Sequence, residues 1–281
     1  MTDLNTIPLG RPTSYPQQYD PSQLFAVPRA AKRAELGLGA TLPFKGEDAW
    51  NGYEISWLNS KGKPVAALGR FRFPCTSPHI VESKSFKLYL NSFNQSRFDS
   101  RAAVHALMAQ DLSATTGAKV KVELHPLEES APVPDSWQIA ALEGICIDHL
   151  DIEVDCYQTA PELLRQPDAI KDVARVTQTL YSHLLKSNCL ITAQPDWASI
   201  WINYQGAQIE HAALLRYLIS FRQHNEFHEQ CVERIFTDLW SHCDLEHLSV
   251  YARYTRRGGL DINPWRSTET AHAPDWRLVR Q

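Results

Sequence analysis

Two stretches of this chain follow the same order of elements, a strand pair, two helices and a further strand pair, and that repetition limits the fold more than any single motif. In the first half, strands are predicted at 53–58 and 65–73 around the hairpin signal Asn59-Ser60-Lys61-Gly62-Lys63. Helices are predicted at 85–93 and 102–112, and closing strands at 119–127 and 144–152. The second half has predicted strands at 173–185 and 199–204, the latter ending at a turn Gln205-Gly206. Its helices are expected at 212–221 and 226–242, and its last strands at 248–254 and 260–264 around Arg257-Gly258-Gly259. Leu214, Leu215, Leu218 and Phe221, then Val232, Ile235, Phe236 and Leu239, recur at helical spacing. Each unit has one apolar sheet surface to cover, so the expected class is α+β, antiparallel sheet with helices on one face. Sheet edges left open need the other half or a second subunit, which predicts a homo-oligomer, most simply a dimer, with active sites where units meet.

The expected domains are an extended arm at 1–45, a first module at 46–155, a linker at 156–170 and a second module at 171–281. Pro8, Pro12, Pro16, Pro21 and Pro28 block long helices in the arm. Pro132 and Pro134 mark a loop-like insertion, and Pro161 and Pro167 mark the linker. Gly37-Leu38-Gly39-Ala40 has the glycines of a dinucleotide loop, but Pro43 stands where its helix would begin and no convincing strand precedes it.

Charge and cysteine usage narrow the classes. The chain has 28 Lys plus Arg against 32 Asp plus Glu, a net charge of -4, so as a whole it presents no attractive field to a phosphate backbone. No run approaches the roughly eighteen apolar residues of a membrane helix. The start, Met1-Thr2-Asp3-Leu4, has neither the basic cluster nor the apolar run of a secretory signal, and cytoplasmic residence is expected. The six cysteines form no CxxC pair, which weakens structural-zinc and thioredoxin-like readings.

The residues suited to chemistry fall in four stretches. Ser187-Asn188-Cys189-Leu190-Ile191-Thr192-Ala193-Gln194-Pro195-Asp196-Trp197 places a thiol and a carboxylate on one polar loop. A thiol there is accessible as a nucleophile, whereas a core thiol is inert. Asp196 precedes Trp197, which can wall off water from one side, and partial burial beside that ring would raise the carboxyl and suit it as a general acid, while Asp also serves turns for local reasons. His224, His228 and Cys231 share one helical face if the helix begins early enough, a set able to bind zinc. In the alternative, Glu229 accepts N–H groups from a guanine-like edge, Phe227 supplies a flat wall and His228 orients or relays a proton. Lys84 and Lys87 lie three apart within Glu82–Gln95, and Arg256 and Arg257 precede a glycine turn. Each pair can be a phosphate contact or a solvated face.

Taken together, Glu82-Ser83-Lys84-Ser85-Phe86-Lys87-Leu88-Tyr89, Ser187–Thr192, Gln194-Pro195-Asp196-Trp197 and Phe227-His228-Glu229-Gln230-Cys231 closely resemble the long, two-module form of the NADPH-dependent 7-cyano-7-deazaguanine reductases. The likeness runs from about Ser14 to the end and includes Tyr254–Arg266. It implies tandem tunnelling-fold modules, assembly into a homodimer through sheet edges, and reduction of the nitrile of 7-cyano-7-deazaguanine, taken as the free base, with two NADPH and no metal. It assigns Cys189 as nucleophile, Asp196 as general acid and His228 as assistant in proton transfer. Glu82, Ser83, Phe227 and Glu229 match substrate-holding positions. The stretch Glu82–Tyr89, with Ser83, Lys84, Ser85 and Lys87, matches the cofactor signature, and Arg256, Arg257 and Gly258 are expected to join it. Direct binding of tRNA and of membranes is not expected. On the residues alone, a thiol-dependent amidohydrolase, a zinc-dependent pterin-type cyclohydrolase using His224, His228 and Cys231, and a nonenzymatic RNA-binding protein stay open, the last disfavoured by the acidic total.

Overall fold

The computed structural model describes residues 15–127, 137–165 and 173–281. The first part of the expected arm, the Pro132/Pro134 insertion and the end of the linker lie outside the described residues. The chain divides into two compact units. One comprises Met1–Gly37, Asp48–Gln138 and Arg256–Asp261, and the other Leu38–Glu47, Ile139–Thr255 and Ile262–Gln281.

The elements in chain order are β1 (Ala26–Pro28), α1 (Ala30–Glu35), β2 (Lys45–Leu58), β3 (Pro64–Pro74), β4 (His79–Val81), α2 (Ser83–Phe93), α3 (Arg101–Thr116), β5 (Lys121–Pro126), β6 (Ile145–Cys146), β7 (Arg175–Asn188), β8 (Pro195–Ala207), α4 (His211–Ser220), α5 (His228–His242), β9 (Leu245–Tyr254) and β10 (Leu260–Ser267). The first unit's main sheet runs β5-β3-β2, and β1 pairs with β4 beside it. The second unit's sheet runs β10-β9-β8-β7-β6, antiparallel except for the short parallel pair of β6 with β7. The α+β class and the two strand–strand–helix–helix runs are therefore as expected. No described helix is long and apolar enough to cross a membrane.

Each sheet buries one face under its helices. In the first unit Trp50, Phe71 and Phe73 meet Phe86 of α2, mostly edge to face, and Phe86 is 0% exposed. Burying such a ring stabilises by about 2–3 kcal/mol. In the second, Ala198, Ile200, Ile202 and Tyr204 alternate along β8 beneath Leu214, Leu218, Ile235 and Leu239. The other face of that sheet is not bare, because Tyr251 and Trp265 are covered by Ala273 and Trp276 of the C-terminal segment.

The helix pairs repeat side chain by side chain. Glu82 caps α2, its carboxylate accepting from Lys84 N and Ser85 N at 2.8 and 2.7 Å. Glu210 caps α4 in the same way, accepting from Ala212 N and Ala213 N at 3.0 and 2.6 Å. Seven residues on, the Tyr89 hydroxyl donates to Asp111 at 2.7 Å and the Tyr217 hydroxyl to Asp238 at 2.7 Å. Burial first and the neighbouring carboxylate second raise both phenols well above their ordinary range, so they remain donors. Ser92 and Ser220 each turn Oγ back to the Tyr carbonyl at 2.6 Å and accept from an incoming segment, Asp20 N at 3.1 Å and Ala160 N at 3.3 Å. These are the marks of one unit used twice.

Several expectations need correcting. The stretch 144–152 is strand only at Ile145–Cys146, and it pairs with β7 rather than closing the first half. The described part of the linker is packed: Leu164, in a 3-10 turn at Pro161–Leu164, is buried, and this segment belongs to the second unit. Residues 256–261 join the first unit instead, where Tyr53 N donates to Gly259 O at 2.9 Å and Asn51 Nδ2 to Asp261 at 2.8 Å. The described arm is not wholly extended, since it forms β1 and α1, and Tyr19 anchors it through Asp111.

Gln205-Gly206 is not a turn. It lies within β8 at a register shift against β9, and Gly206 has φ 151°. A Cβ there would sit 2.4 Å from Asp244 O, so the strands approach closely only because the side chain is absent. Gly206→Ala is expected to destabilise the fold by roughly 2 kcal/mol, read as a shifted denaturant midpoint at unchanged slope.

Candidate active site

The thiol sits at the tip of a hairpin. β7 and β8 stay paired to their ends, Ser187 against Asp196 and Asn188 against Pro195. Cys189 N then donates to Gln194 O at 2.8 Å, and Ala193 N to Cys189 O at 3.0 Å, with Ala193 in the left-handed region at φ 54°. Cys189 is partly exposed, whereas Cys75 and Cys231 are buried.

The same hairpin end holds the start of α5. Asn188 N donates to His224 O at 2.8 Å and Asn188 O accepts from Glu226 N at 3.0 Å, while the Asn188 and Asn225 side chains bond at 2.9 Å. This short parallel bridge brings His228 to Asp196, Nε2 to Oδ2 at 3.3 Å. Asp196 is 3% exposed. Across the sheet from it, the His228 ring stacks on Tyr254 with centroids 3.8 Å apart. Glu229, also buried, occupies the first turn of α5, where the helix dipole favours a carboxylate, and the half-buried Phe227 is the residue before it. The structure thus assembles Cys189, Asp196, His228, Phe227 and Glu229 in one unit, around two tight backbone links.

Two expectations about this site change. Trp197 does not wall Asp196 from water: consecutive strand residues face opposite sides, and Trp197 is 38% exposed with the Arg222 guanidinium 5.5 Å above its ring. His228 and Tyr254 enclose the carboxylate instead. The zinc set also fails, because α5 begins at His228 and leaves His224 in the preceding strand-like segment, its Nε2 2.9 Å from Glu226. Burial, then the Glu226 charge, pushes the Cys231 thiol up to about 12, so it remains protonated. Among the described residues no three His, Cys, Asp or Glu side chains gather as a metal site.

Glu226 and Arg234 were not singled out in the sequence. The Arg234 guanidinium meets the buried Glu226 carboxylate through two bonds, 3.0 and 2.8 Å. Burial raises this carboxyl, but the His224 and Arg234 bonds outweigh it and hold the group below its ordinary range. The available signal was Glu226 and Arg234 eight residues apart, a spacing that acquires meaning only when the chain turns into α5 between them.

The remaining candidates belong to the first unit. Glu82 is fully buried, and burial raises its carboxyl despite the helix-end N–H bonds. The Ser85 hydroxyl is committed, donating to Glu82 O at 2.7 Å and accepting from Phe25 N at 3.0 Å, so it secures the helix start rather than offering a ligand contact. Ser83 and Lys84 are half-exposed in that first turn. Lys87 lines a cavity of about 280 Å³ with Tyr15, Glu54, Asn91, Asn94 and Gly258–Leu260. Gly258 and Gly259 have φ 56° and 73°, the left-handed region that favours glycine; a Cβ at Gly258 would crowd the Lys87 chain at 3.2 Å, and one at Gly259 would clash with the Glu54 carboxylate at 2.6 Å. Arg256 leans over the Tyr53 ring at 4.8 Å, and Arg257 closes the turn through its backbone bonds with Leu260.

A partly exposed thiol at the tip of the hairpin that also carries an acid–imidazole pair, on an antiparallel scaffold used twice, is the arrangement of an α+β enzyme. Residues 15–124 match the family model "Nitrile reductase, 7-cyano-7-deazaguanine-reductase N-term", and residues 195–273 match "QueF-like protein". NADPH-dependent 7-cyano-7-deazaguanine reductases of Dechloromonas aromatica and Azoarcus sp. are 58% and 54% identical, each over 98% of this chain and 95% of the relative. That of Colwellia psychrerythraea is 53% identical over 100% of this chain and 98% of its own. A solved archaeosine synthase, QueF-Like in its apo form, overlaps at 15% identity and a TM-score of 0.30, over 37% of this chain and 100% of that one. The chain belongs to the NADPH-dependent 7-cyano-7-deazaguanine reductase family, within the tunnelling-fold superfamily.

With iodoacetamide at neutral pH, Cys189 is expected to be alkylated well before Cys75 and Cys231, as read by peptide mass mapping. Equal labelling of all three would remove the accessible thiol. Because the folded Glu226 carboxyl is depressed, its stabilisation is present above the unfolded value of about 4.3 and is lost as pH falls through the lower folded value. Glu226→Gln is therefore expected to cost roughly 3 kcal/mol near pH 7, with the gap to wild type narrowing below about pH 4 in urea titrations.

Proposed function

We propose that this protein reduces the nitrile of 7-cyano-7-deazaguanine to an aminomethyl group in queuosine biosynthesis, with Cys189 as nucleophile, Asp196 as proton donor and His228 as its partner in proton transfer. The observation that carries the assignment is the register of the hairpin. Cys189 stands at its exposed tip, and Asp196, one pair further in, is held against His228.

A nitrile carbon accepts hydride poorly until it is activated. The Cys189 sulfur adds to that carbon while Asp196 delivers a proton to the nitrogen, leaving a thioimide. Two NADPH, bound in turn, would supply one hydride each. After the first reduction the C–S bond breaks, Cys189 leaves with its electron pair, and the substrate is an imine. The site must then hold the imine away from water until the second reduction. Glu229 and Glu82 are suited to pair with the N–H edge of the base, and Phe227 to cover its face. Ser83 is a further candidate contact.

The cavity beside Lys87 suits part of a dinucleotide: an ammonium and two side-chain amides face a glycine turn whose N–H groups can meet phosphate, and the Glu54 carboxylate on the same wall suits a hydroxyl rather than a phosphate. Lys84, Lys87, Arg256, Arg257 and Gly258 would hold the cofactor there. Ser85 supports this site only by fixing the helix start. A cytoplasmic setting for the reaction is in keeping with six cysteines that form no disulfide among the described residues. β6 covers two residues of the fourteen-residue β7, which supports a homodimer closed through that edge. The base is taken free rather than within tRNA, in keeping with the acidic total.

Mixing the protein with the cyano base without NADPH is expected to raise the intact mass by one ligand. Cys189→Ala should abolish the adduct with the fold retained, and an adduct that persisted in this variant would refute the nucleophile. Asp196→Asn is expected to bind the base yet form adduct on the order of a hundredfold more slowly. An unchanged rate would remove Asp196 as the acid.

A further inference from the structure

The flat face of the His228 imidazole is met by a residue of β9. His228 and Tyr254 stack face to face, their planes 1° apart. Ser187, Asp196 and Ala198 share the helix-facing side of the sheet, and Tyr254 is Ala198's partner across to β9, which puts its ring directly behind the imidazole. Tyr254 is fully buried and pinned from both sides, its N–H donating to Asn263 Oδ1 at 3.2 Å and its carbonyl accepting from Gln281 Nε2 at 3.1 Å.

His228, by contrast, is the first residue of α5, and among the described residues its side chain makes one polar contact, Nε2 with Asp196. Nδ1 is buried with no hydrogen-bond partner among the described residues. A single point contact leaves the ring free to turn about it, because the second side-chain torsion of histidine is broad. Only a flat neighbour fixes the plane. The Tyr254 hydroxyl is buried with the Cys231 thiol and the Ser187 hydroxyl as neighbours and meets the hydrogen-bond geometry with no group among the described residues, so what it offers His228 is the face of its ring.

We propose that Tyr254 is a positioning residue for the nitrile chemistry, its ring rather than its hydroxyl holding the plane of His228 so that Nε2 stays aimed at Asp196. This rests on the roles given to Cys189, Asp196 and His228 above. The test compares wild type, Tyr254→Phe and Tyr254→Leu in three measurements: single-turnover adduct formation with the cyano base, equilibrium binding of that base, and the NMR shifts of the His228 ring protons. Tyr254→Phe is expected to keep the adduct rate within about threefold and Tyr254→Leu to lower it on the order of a hundredfold, with base affinity within about threefold in both. The His228 protons should be shifted upfield by the facing ring in wild type and Tyr254→Phe, and should return toward the exposed-histidine position in Tyr254→Leu. Should Tyr254→Leu fail to fold, the wild-type shifts and the Tyr254→Phe rate decide. Unshifted His228 protons in wild type, or a Tyr254→Phe rate depressed a hundredfold, overturns the role. A wild-type adduct with an unaffected Tyr254→Leu rate overturns positioning alone, whereas no adduct in wild type overturns the reaction and the positioning together.

Discussion

The site depends on the peptide groups flanking Asn188, which give one hydrogen bond to His224 and take one from Glu226. Those two bonds stitch the approach to α5 onto the end of β7, so that the helix starts where the hairpin ends. A helix packed only by Val232, Ile235, Phe236 and Leu239 could slide or turn without losing apolar contact, since burial is not directional. Backbone hydrogen bonds are directional, and the buried Glu226–Arg234 pair adds a second fixed point. Distance between thiol, carboxylate and imidazole is thereby set by backbone geometry rather than by side-chain fit.

The two units show how one scaffold carries different work. Their glutamate caps, Tyr–Asp pairs and Ser back-bonds correspond, because these satisfy the helix ends and tie the two helices together. The positions between them diverge. Lys84 and Lys87 stand where the second unit has Ala212 and Leu215, and the first unit's hairpin tip is Asn59–Lys63 where the second has Cys189–Gln194. The first unit thus carries its cations on the helix and the second its thiol on the hairpin tip, and what both keep constant is what holds the helices down.

Part of this was legible in residue order. Helical spacing located α4 and α5 because each buries one stripe, and Asn59–Lys63 announced its hairpin through glycine and polar residues. Residues 144–152 misled because a strand and an apolar coil have the same local composition, and the difference lies in what the backbone can pair with. Gly206 misled in the opposite direction: a glycine read as a turn was required by a close strand approach. Trp197 was given to Asp196 because they are neighbours in sequence, yet the pleat sends them to opposite faces. Tyr254 stood out only as the start of a family-like stretch and Arg234 only by its eight-residue spacing from Glu226, since a tyrosine in a strand and an arginine in a helix are ordinary.

The amino-acid order alone determined the class, the duplicated layout and which thiol, carboxylate and imidazole are the candidates for chemistry, because periodicity and motif chemistry are local properties written within a few residues. Tertiary structure decided which of them meet. His224 was excluded from the helix face, Tyr254 became the plate behind His228, and Ser85 was spent on a cap, because contacts between residues tens of positions apart follow from strand register and helix docking, which no local window contains.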